Sequence, residues 1–337
     1  MSSTDEHGGP PLVSIGVPVY NGERFLRESL ESLLAQDYAP LDIVISDNAS
    51  EDGSAAICRE FAERDSRVRY RRNETNLGAL ANFRGLQDLA GGPYFMWGSD
   101  HDLWDPRFVS KLVEVLDADP AIVLAYGRTM LIDADGAEMG IMPDRVDTRN
   151  RSAVSRYAHL LRNLSKCNMM YGLMRLDALR ALRQGLINIW CPDRLFLAEL
   201  SLAGSFAQLD DTLFFRRENR PRESDGERKA RVLAFTDPST GRQKARRSLR
   251  SHYRALRNAH MRLVAGSDLS PRDKLCAMGV TYRCFWRSAS RGVPIVDEAR
   301  EEWGWRWDAV RGGRVAPAVK FLPWLLKRIR QREPEDY

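Results

Sequence analysis

No run of about 18 apolar residues occurs anywhere in the 337-residue sequence, which predicts no membrane-spanning helix. The first residues, Met1 to Pro11, lack the basic start and apolar centre of a signal peptide. Cysteine is sparse: five residues, at 58, 167, 191, 276 and 284, odd in number and with no C-x-x-C spacing. That pattern predicts reduced thiols in the cytosol and argues against a disulfide framework or a zinc site. No G-x-G-x-x-G follows the first predicted strand, and no G-x-x-x-x-G-K-[ST] occurs, so a dinucleotide cofactor and a P-loop ATPase are both disfavoured.

What is present suits a soluble globular protein, with 43% hydrophobic and 29% charged residues. The length fits one large domain with an addition, or two domains. The net charge of +5 conceals an asymmetry. Residues 221–337 hold 26 of the 51 basic and 14 of the 46 acidic residues, a net of +12, which leaves −7 on residues 1–220. A basic tail behind an acidic domain suits an anionic membrane surface, an anionic acceptor or nucleic acid.

Apolar runs and helix-like segments alternate. Strands are predicted at Leu12–Pro18, Leu41–Ile45, Val68–Arg71 and Tyr94–Trp97, with helices at 23–36, 55–64 and 79–90 between them. This alternation predicts a parallel sheet with right-handed crossovers. Ligands in such sheets bind at the carboxyl ends of the strands. The fourth strand runs directly into Gly98-Ser99-Asp100-His101-Asp102, two carboxylates one residue apart. Such a pair can share a hard divalent cation whose other positions go to phosphate oxygens and water. Asp105 and Pro106 are expected to start the next helix.

Other strand ends carry groups suited to a nucleotide. Tyr20 either stacks on a base or packs into its turn. Asn21 can cap the first helix. Asp47 either accepts hydrogen bonds from a base or ribose, or closes an Asx turn with its Asn-Ala-Ser neighbours. Asp52 reads as a helix cap.

Val13 to Asn21, Ile45 to Ser54, Asn76-Leu77-Gly78 with Asn82, and Ser99 to Pro106 together resemble the family 2 glycosyltransferases, which have the GT-A fold. The resemblance covers about residues 12–220. It implies a nucleoside-diphosphate sugar donor (UDP, GDP or dTDP), a divalent metal, Mg²⁺ or Mn²⁺, and inversion at the anomeric carbon. By position it implies that Pro18, Tyr20 and Asn21, with Glu23 beside them, line the base pocket, and that Asp47 contacts the base. Asp100 lies near the ribose and can share the metal that Asp102 ligates. Asn48, Gly78, Asn82 and Ser99 belong to the same motifs and count with the nucleotide-sugar contacts. His101 departs from the pattern, which commonly has a third acid there. It is either an outward-facing spacer or an extra ligand.

An inverting transfer needs one carboxylate to take the acceptor's proton. Asp193, at the start of the apolar helix in Trp190-Cys-Pro-Asp193 to Gly204, stands where the family places its base, although it can also serve as an N-cap. Glu199, further along, reads as a surface or packing residue, and Trp190 as a sugar platform or core. Arg216 matches the family's arginine and can pair with the leaving diphosphate, while Glu218 stands where a histidine is expected. Between these points, strands are predicted at 121–126, 129–133 and 166–174, and a mobile polar loop at 143–152. The methionines of 166–174 are expected in the core.

The expected organisation is a disordered 1–11, a catalytic domain over 12–220 and a basic, mainly helical 221–337. Helices are predicted at 243–263 and 274–288, with an interfacial helix over 315–330 after Trp303, Trp305 and Trp307. That region could cover the acceptor site, touch the membrane, pack on the catalytic domain or join a second subunit in a homo-oligomer. Its aromatics form no recognisable nucleic-acid module, so no nucleic acid partner is expected. The leading reading is a cytoplasmic glycosyltransferase acting on a polysaccharide, glycolipid or secondary metabolite. The alternative is a degenerate scaffold whose tail binds an anionic partner. A sugar nucleotidyltransferase is disfavoured, because no glycine-rich basic loop follows strand one.

Overall fold

The computed structural model describes residues 9–164, 166–218, 227, 230, 233, 237–239 and 249–291. The predicted interfacial helix, the three tryptophans before it and most of the 221–245 stretch lie outside the described residues, as does the N-terminus before Gly9. The elements are β1 (Val13–Val19), α1 (Glu23–Leu34), β2 (Leu41–Asp47), α2 (Ser54–Arg64), β3 (Val68–Arg72), α3 (Ala79–Asp88), β4 (Tyr94–Trp97), β5 (Leu103–Trp104), α4 (Phe108–Ala118), β6 (Ile122–Ile132), β7 (Glu138–Ile141), α5 (Ala153–Asn163), a 3₁₀ turn (Asn168–Tyr171), β8 (Leu173–Arg175), α6 (Leu176–Arg180), α7 (Pro192–Ala203), β9 (Ser205–Arg217), α8 (Leu249–Gly266) and α9 (Pro271–Arg291).

Among the described residues the strands form one nine-stranded sheet, ordered β3-β2-β1-β4-β8-β6-β9-β5, with β7 on β6. The first four sequence strands pair in parallel, as their alternation with helices requires. All seven residues of β1 are buried, because helices cover both faces of the sheet there. Register sets the site: Val19 lies opposite Asp47, and Gly16 opposite Trp97. The loops after β1, β2 and β4 therefore leave from one edge.

The second half departs from expectation in four places. Residues 121–126 and 129–133 are one long strand, β6, whose pairing with β9 shifts register beside Arg128. The predicted strand over 166–174 is mostly a 3₁₀ turn, entered through Cys167 in a left-handed conformation, with only Leu173–Arg175 in the sheet. Its methionines are core, as expected: Met169 and Met174 are fully buried. Asp105 does not cap the next helix. A two-residue strand, β5, pairs with β9 first, and α4 begins at Phe108, with the Asp105 carboxylate turned onto the N–H and guanidinium of Arg107. The 143–152 segment is also well anchored. Tyr126 Oη accepts from Val146 N–H, Thr148 exchanges two hydrogen bonds with Phe206, and Gln208 Nε2 donates to the Asp144 carbonyl.

The helices α8 and α9 share a core with the sheet. Leu256, Ala259, Val264, Ala277 and Phe285 belong to the apolar cluster that contains Trp97 and Phe196. His260 and Thr281 close on Tyr157 of α5, 3.0 Å from its hydroxyl to His260 Nδ1 and 2.7 Å to Thr281 Oγ1.

Candidate active site

The β1 and β2 loops are stapled together. Asn21 takes a positive φ of 52° and does not cap α1; its N–H donates to Ser50 Oγ and its Oδ1 accepts from Glu51 N–H. The cap comes from the neighbouring loop instead: Asp52 Oδ2 accepts from Glu23 N–H, and its Oδ1 accepts from Ser54 N–H, the capping role expected of it. Glu23 returns a bond from Gly53 N–H. Tyr20 is half-buried at the mouth of this double loop.

Asp47 is fully buried with both oxygens occupied. Oδ1 closes an Asx turn on Ser50 N–H, while Oδ2 accepts from the Tyr70 hydroxyl at 3.0 Å and the Arg72 guanidinium at 2.9 Å. Asn48 and Asn82 are also buried and, with Asn73, Asn76 and Ser46, form a polar network that holds the β3–α3 loop. Gly78 ends that loop at a φ of +82°, where a side chain would be strained. These residues stand at the expected edge, but their side chains bond one another.

The acidic turn after β4 lies beside the same loops. A methyl group on Gly22 would come within 2.8 Å of Asp100 Oδ2. Ser99 Oγ accepts from the N–H groups of His101 and Asp102 and so shapes the turn. His101 faces the two acids: Nδ1 is 2.5 Å from Asp100 Oδ1 and Nε2 is 3.7 Å from Asp102 Oδ1. Asp102 is 2% exposed, and its Oδ1 accepts from Arg217 N–H.

The sequence reading stopped one residue short at the end of β9. Arg216 does reach the cleft, donating to Asn168 Oδ1 at 2.5 Å. Arg217 points to the opposite face, where its side chain is 1% exposed. There it donates to the carbonyls of His101 and Ala134 and to Glu28 Oε2, and lies over the Phe25 ring. It locks the acidic turn to α1. Neighbouring residues of a strand face opposite ways, so the two arginines serve opposite sides of β9.

Asp193 approaches from the other side. Cys191 is the N-cap of α7 in a left-handed conformation and Pro192 opens the helix, which puts Asp193 in the first turn. One turn along, Phe196 meets Trp97 edge-on, with ring centroids 5.4 Å apart. That contact fixes α7 against the strand that leads into the Asp100 turn. The Cys167 thiol is hydrogen-bonded to Asp193; burial, then that charge, hold it protonated well above its usual range.

Tyr171, which sequence reasoning missed, sits among these groups, stacked on Phe214 at 5.4 Å. Burial raises its phenol pKa most; Asp102, Asp100 and Asp193 raise it further, and Arg216 opposes them. All four side chains are thus within electrostatic reach of one hydroxyl. Glu199 is a correction: it is 7% exposed and accepts from the N–H groups of Arg183, Gln184 and Gly185, fixing the loop that leads to Asp193. Trp190 lies 5.9 Å from the His252 ring.

Among the described residues no three His, Cys, Asp or Glu side chains gather to hold a metal, and no helix is long and apolar enough to cross a membrane. The acids present still fit a divalent ion that arrives with a diphosphate, since phosphate oxygens and water then supply most of its ligands.

Residues 14–171 match the family model described as Glycosyl transferase family 2. An uncharacterized glycosyltransferase of Rickettsia felis is 32% identical over 163 residues, 48% of this chain and 27% of that protein. An uncharacterized protein of Mycobacterium tuberculosis is 34% identical over 135 residues, 39% of this chain and 38% of that protein. The chain thus spans well under half the length of these curated relatives. The fold matches S. aureus TarS residues 1–349, solved with UDP-GlcNAc, with a TM-score of 0.59 at 18% identity over 83% of this chain and 74% of that one. It also matches a mannosyltransferase of Pyrobaculum calidifontis solved with GDP-Man and Mn²⁺, with a TM-score of 0.54 at 16% identity over 96% and 82%. The ordered motifs, the mostly parallel sheet edge they share and the matched residues mark 14–171 as a family 2 glycosyltransferase segment, in a chain whose fold matches the two solved glycosyltransferases.

Proposed function

We propose that the protein transfers a sugar, with inversion, from a nucleoside-diphosphate sugar to an acceptor hydroxyl. The observation that carries this is the placement of the Asp100–Asp102 turn beside the β1 loop, with Arg216 held on Asn168 and Asp193 opening the helix that Phe196 seats on Trp97. A pair of acids on one side and a single carboxylate on the other is what an in-line displacement needs. Tyr20 and the loop edges after β1 and β2 supply the surface for the base. Asp47 meets a base only if the Arg72 guanidinium, 40% exposed, gives way.

Asp102, with Asp100, would hold Mg²⁺ or Mn²⁺, which when bound neutralises charge developing on the departing diphosphate. Arg216 adds a fixed cation on the same side. Asp193 takes the acceptor's proton as that oxygen bonds to the anomeric carbon and the bond to the diphosphate breaks. The Cys167 thiol, kept protonated, orients the Asp193 carboxylate. The nucleotide sugars bound by the two solved relatives support this donor class. The acceptor class we infer is a polysaccharide, glycolipid or secondary metabolite.

The test is a thermal-shift screen of UDP, GDP and dTDP, each with and without Mn²⁺. One diphosphate should raise the Tm, and only with metal. Indifference to all three would remove the transfer reading.

A further inference from the structure

A second cavity system opens beside the cleft, on the far side of Asn168. Arg216 donates to Asn168 Oδ1, and Asn168 Nδ2 donates to Asp144 Oδ2 at 3.1 Å. Asp144 lines a cavity of about 500 Å³ with Arg128, Arg145 and the apolar trio Ile141, Met142 and Pro143. Arg128 and Arg145 continue into a neighbouring cavity of about 360 Å³, which reaches Arg149, His159 and Gln208.

Three arginines, Arg128, Arg145 and Arg149, and three carboxylates, Asp144, Asp147 and Asp210, line the two cavities, but they are not paired one to one: the Asp144 carboxylate accepts from Asn168. Asp210 pairs with Arg128 and Asp147 with Arg149. Among the described residues, Arg145 and nearby Arg151 have no carboxylate partner. Burial, then Arg151 and Arg162, depress the His159 pKa, while Asp147 only partly offsets them. The side chain of Asp210 is 94% exposed. An exposed pair of that kind contributes little stability, so an incoming anion can replace Asp210 on Arg128. Guanidinium groups bind phosphate and carboxylate through paired hydrogen bonds. The walls are set in advance, because 144–148 is fastened to β6 and β9.

We propose that this groove binds an anionic unit of the acceptor, a sugar phosphate or a uronate. Arg145 and Arg128 hold the anion, and Ile141, Met142 and Pro143 lie against the sugar ring. The proposal rests on the transfer reading for the word acceptor, but the anion site stands or falls by itself. Its position beyond Asn168 fits an acceptor chain that leads out of the cleft.

The experiment is calorimetric titration of the full chain at low salt with glycerol 3-phosphate, galacturonate, galactose and inorganic phosphate. Arg145→Ala and Arg128→Ala should each weaken the preferred anion at least tenfold. Arg59→Ala, an exposed arginine on α2, should leave it unchanged. None of the three should alter nucleoside-diphosphate binding. Whichever of glycerol 3-phosphate and galacturonate binds more tightly identifies the anion. The proposal is overturned if neither anion saturates the protein, if the two groove variants bind like wild type, if galactose matches galacturonate, or if free phosphate matches glycerol 3-phosphate. If the groove binds anions while wild type ignores all nucleoside diphosphates, it is the transfer reading that fails.

Discussion

Asp193 and Asp102 are both carboxylates in one cleft, and their surroundings separate their roles. Asp193 is half-buried in the first turn of α7, bonded to its own helix and to a protonated thiol. Asp102 is buried, with one oxygen held by Arg217 N–H. Asp193→Asn should keep diphosphate binding and lower the transfer rate by about 10²–10⁴-fold, the range for loss of a general base; single-turnover kinetics with saturating donor would show it. Asp102→Asn should instead abolish the Mn²⁺ dependence of diphosphate binding, read by the same thermal shift. Arg217→Met should cost about 2–3 kcal/mol, because the carbonyls of His101 and Ala134 lose a charged donor while Glu28 stays in water. Chemical denaturation measures that loss, and an unchanged midpoint would mean that the acidic turn holds its shape without the arginine.

At the level of elements, α7 is held at both ends. Phe196 seats it on Trp97, and Glu199 gathers three N–H groups of the 183–185 loop that leads to Asp193. Glu199→Leu strands those donors and should destabilise by about 2–4 kcal/mol, visible as a lower denaturation midpoint. The sequence leaves Glu199 as a surface or packing residue, because helical spacing alone does not show which loop covers the helix. The α5–α8–α9 contact carries a pH signature. Thr281 Oγ1 donates to the Ala277 carbonyl, so Tyr157 donates to Thr281 and His260 Nδ1–H donates to Tyr157. Burial depresses the His260 pKa from 6.5 to about 3, so the unfolded chain binds the proton more readily. Stability should therefore be full above about pH 6.5 and fall towards pH 3, by up to ~1.4 kcal/mol per pH unit. Denaturation midpoints between pH 7 and pH 4 test this, and His260→Asn should flatten the slope.

For the whole molecule, the order of strands, helices and polar turns in the first hundred residues determined a parallel sheet with its chemistry at one edge. That much follows from periodicity, because each strand and helix there repeats a local pattern. The boundary expected near residue 220 meets a different physics. The helices α8 and α9 add Leu256, Ala259, Val264 and Phe285 to the cluster built on Trp97 and Phe196. A chain ending at Glu218 would expose that surface and should be insoluble or bind hydrophobic dyes; a soluble 1–218 fragment with the full-length Tm would show that the helices are dispensable.

The amino-acid order alone determined the element types of the first hundred residues, the acidic turn after β4, the arginine near the end of β9 and the acid opening α7. Each is written in a few neighbouring residues. Only the tertiary structure placed Arg217 behind the acidic turn and decided that Asp47, Asn48 and Asn82 turn inward. It alone joined Tyr171 and Cys167 to the site and docked the last two helices on the core. Those outcomes depend on partners tens to more than a hundred residues away, and no local pattern of side chains encodes the address of a distant contact.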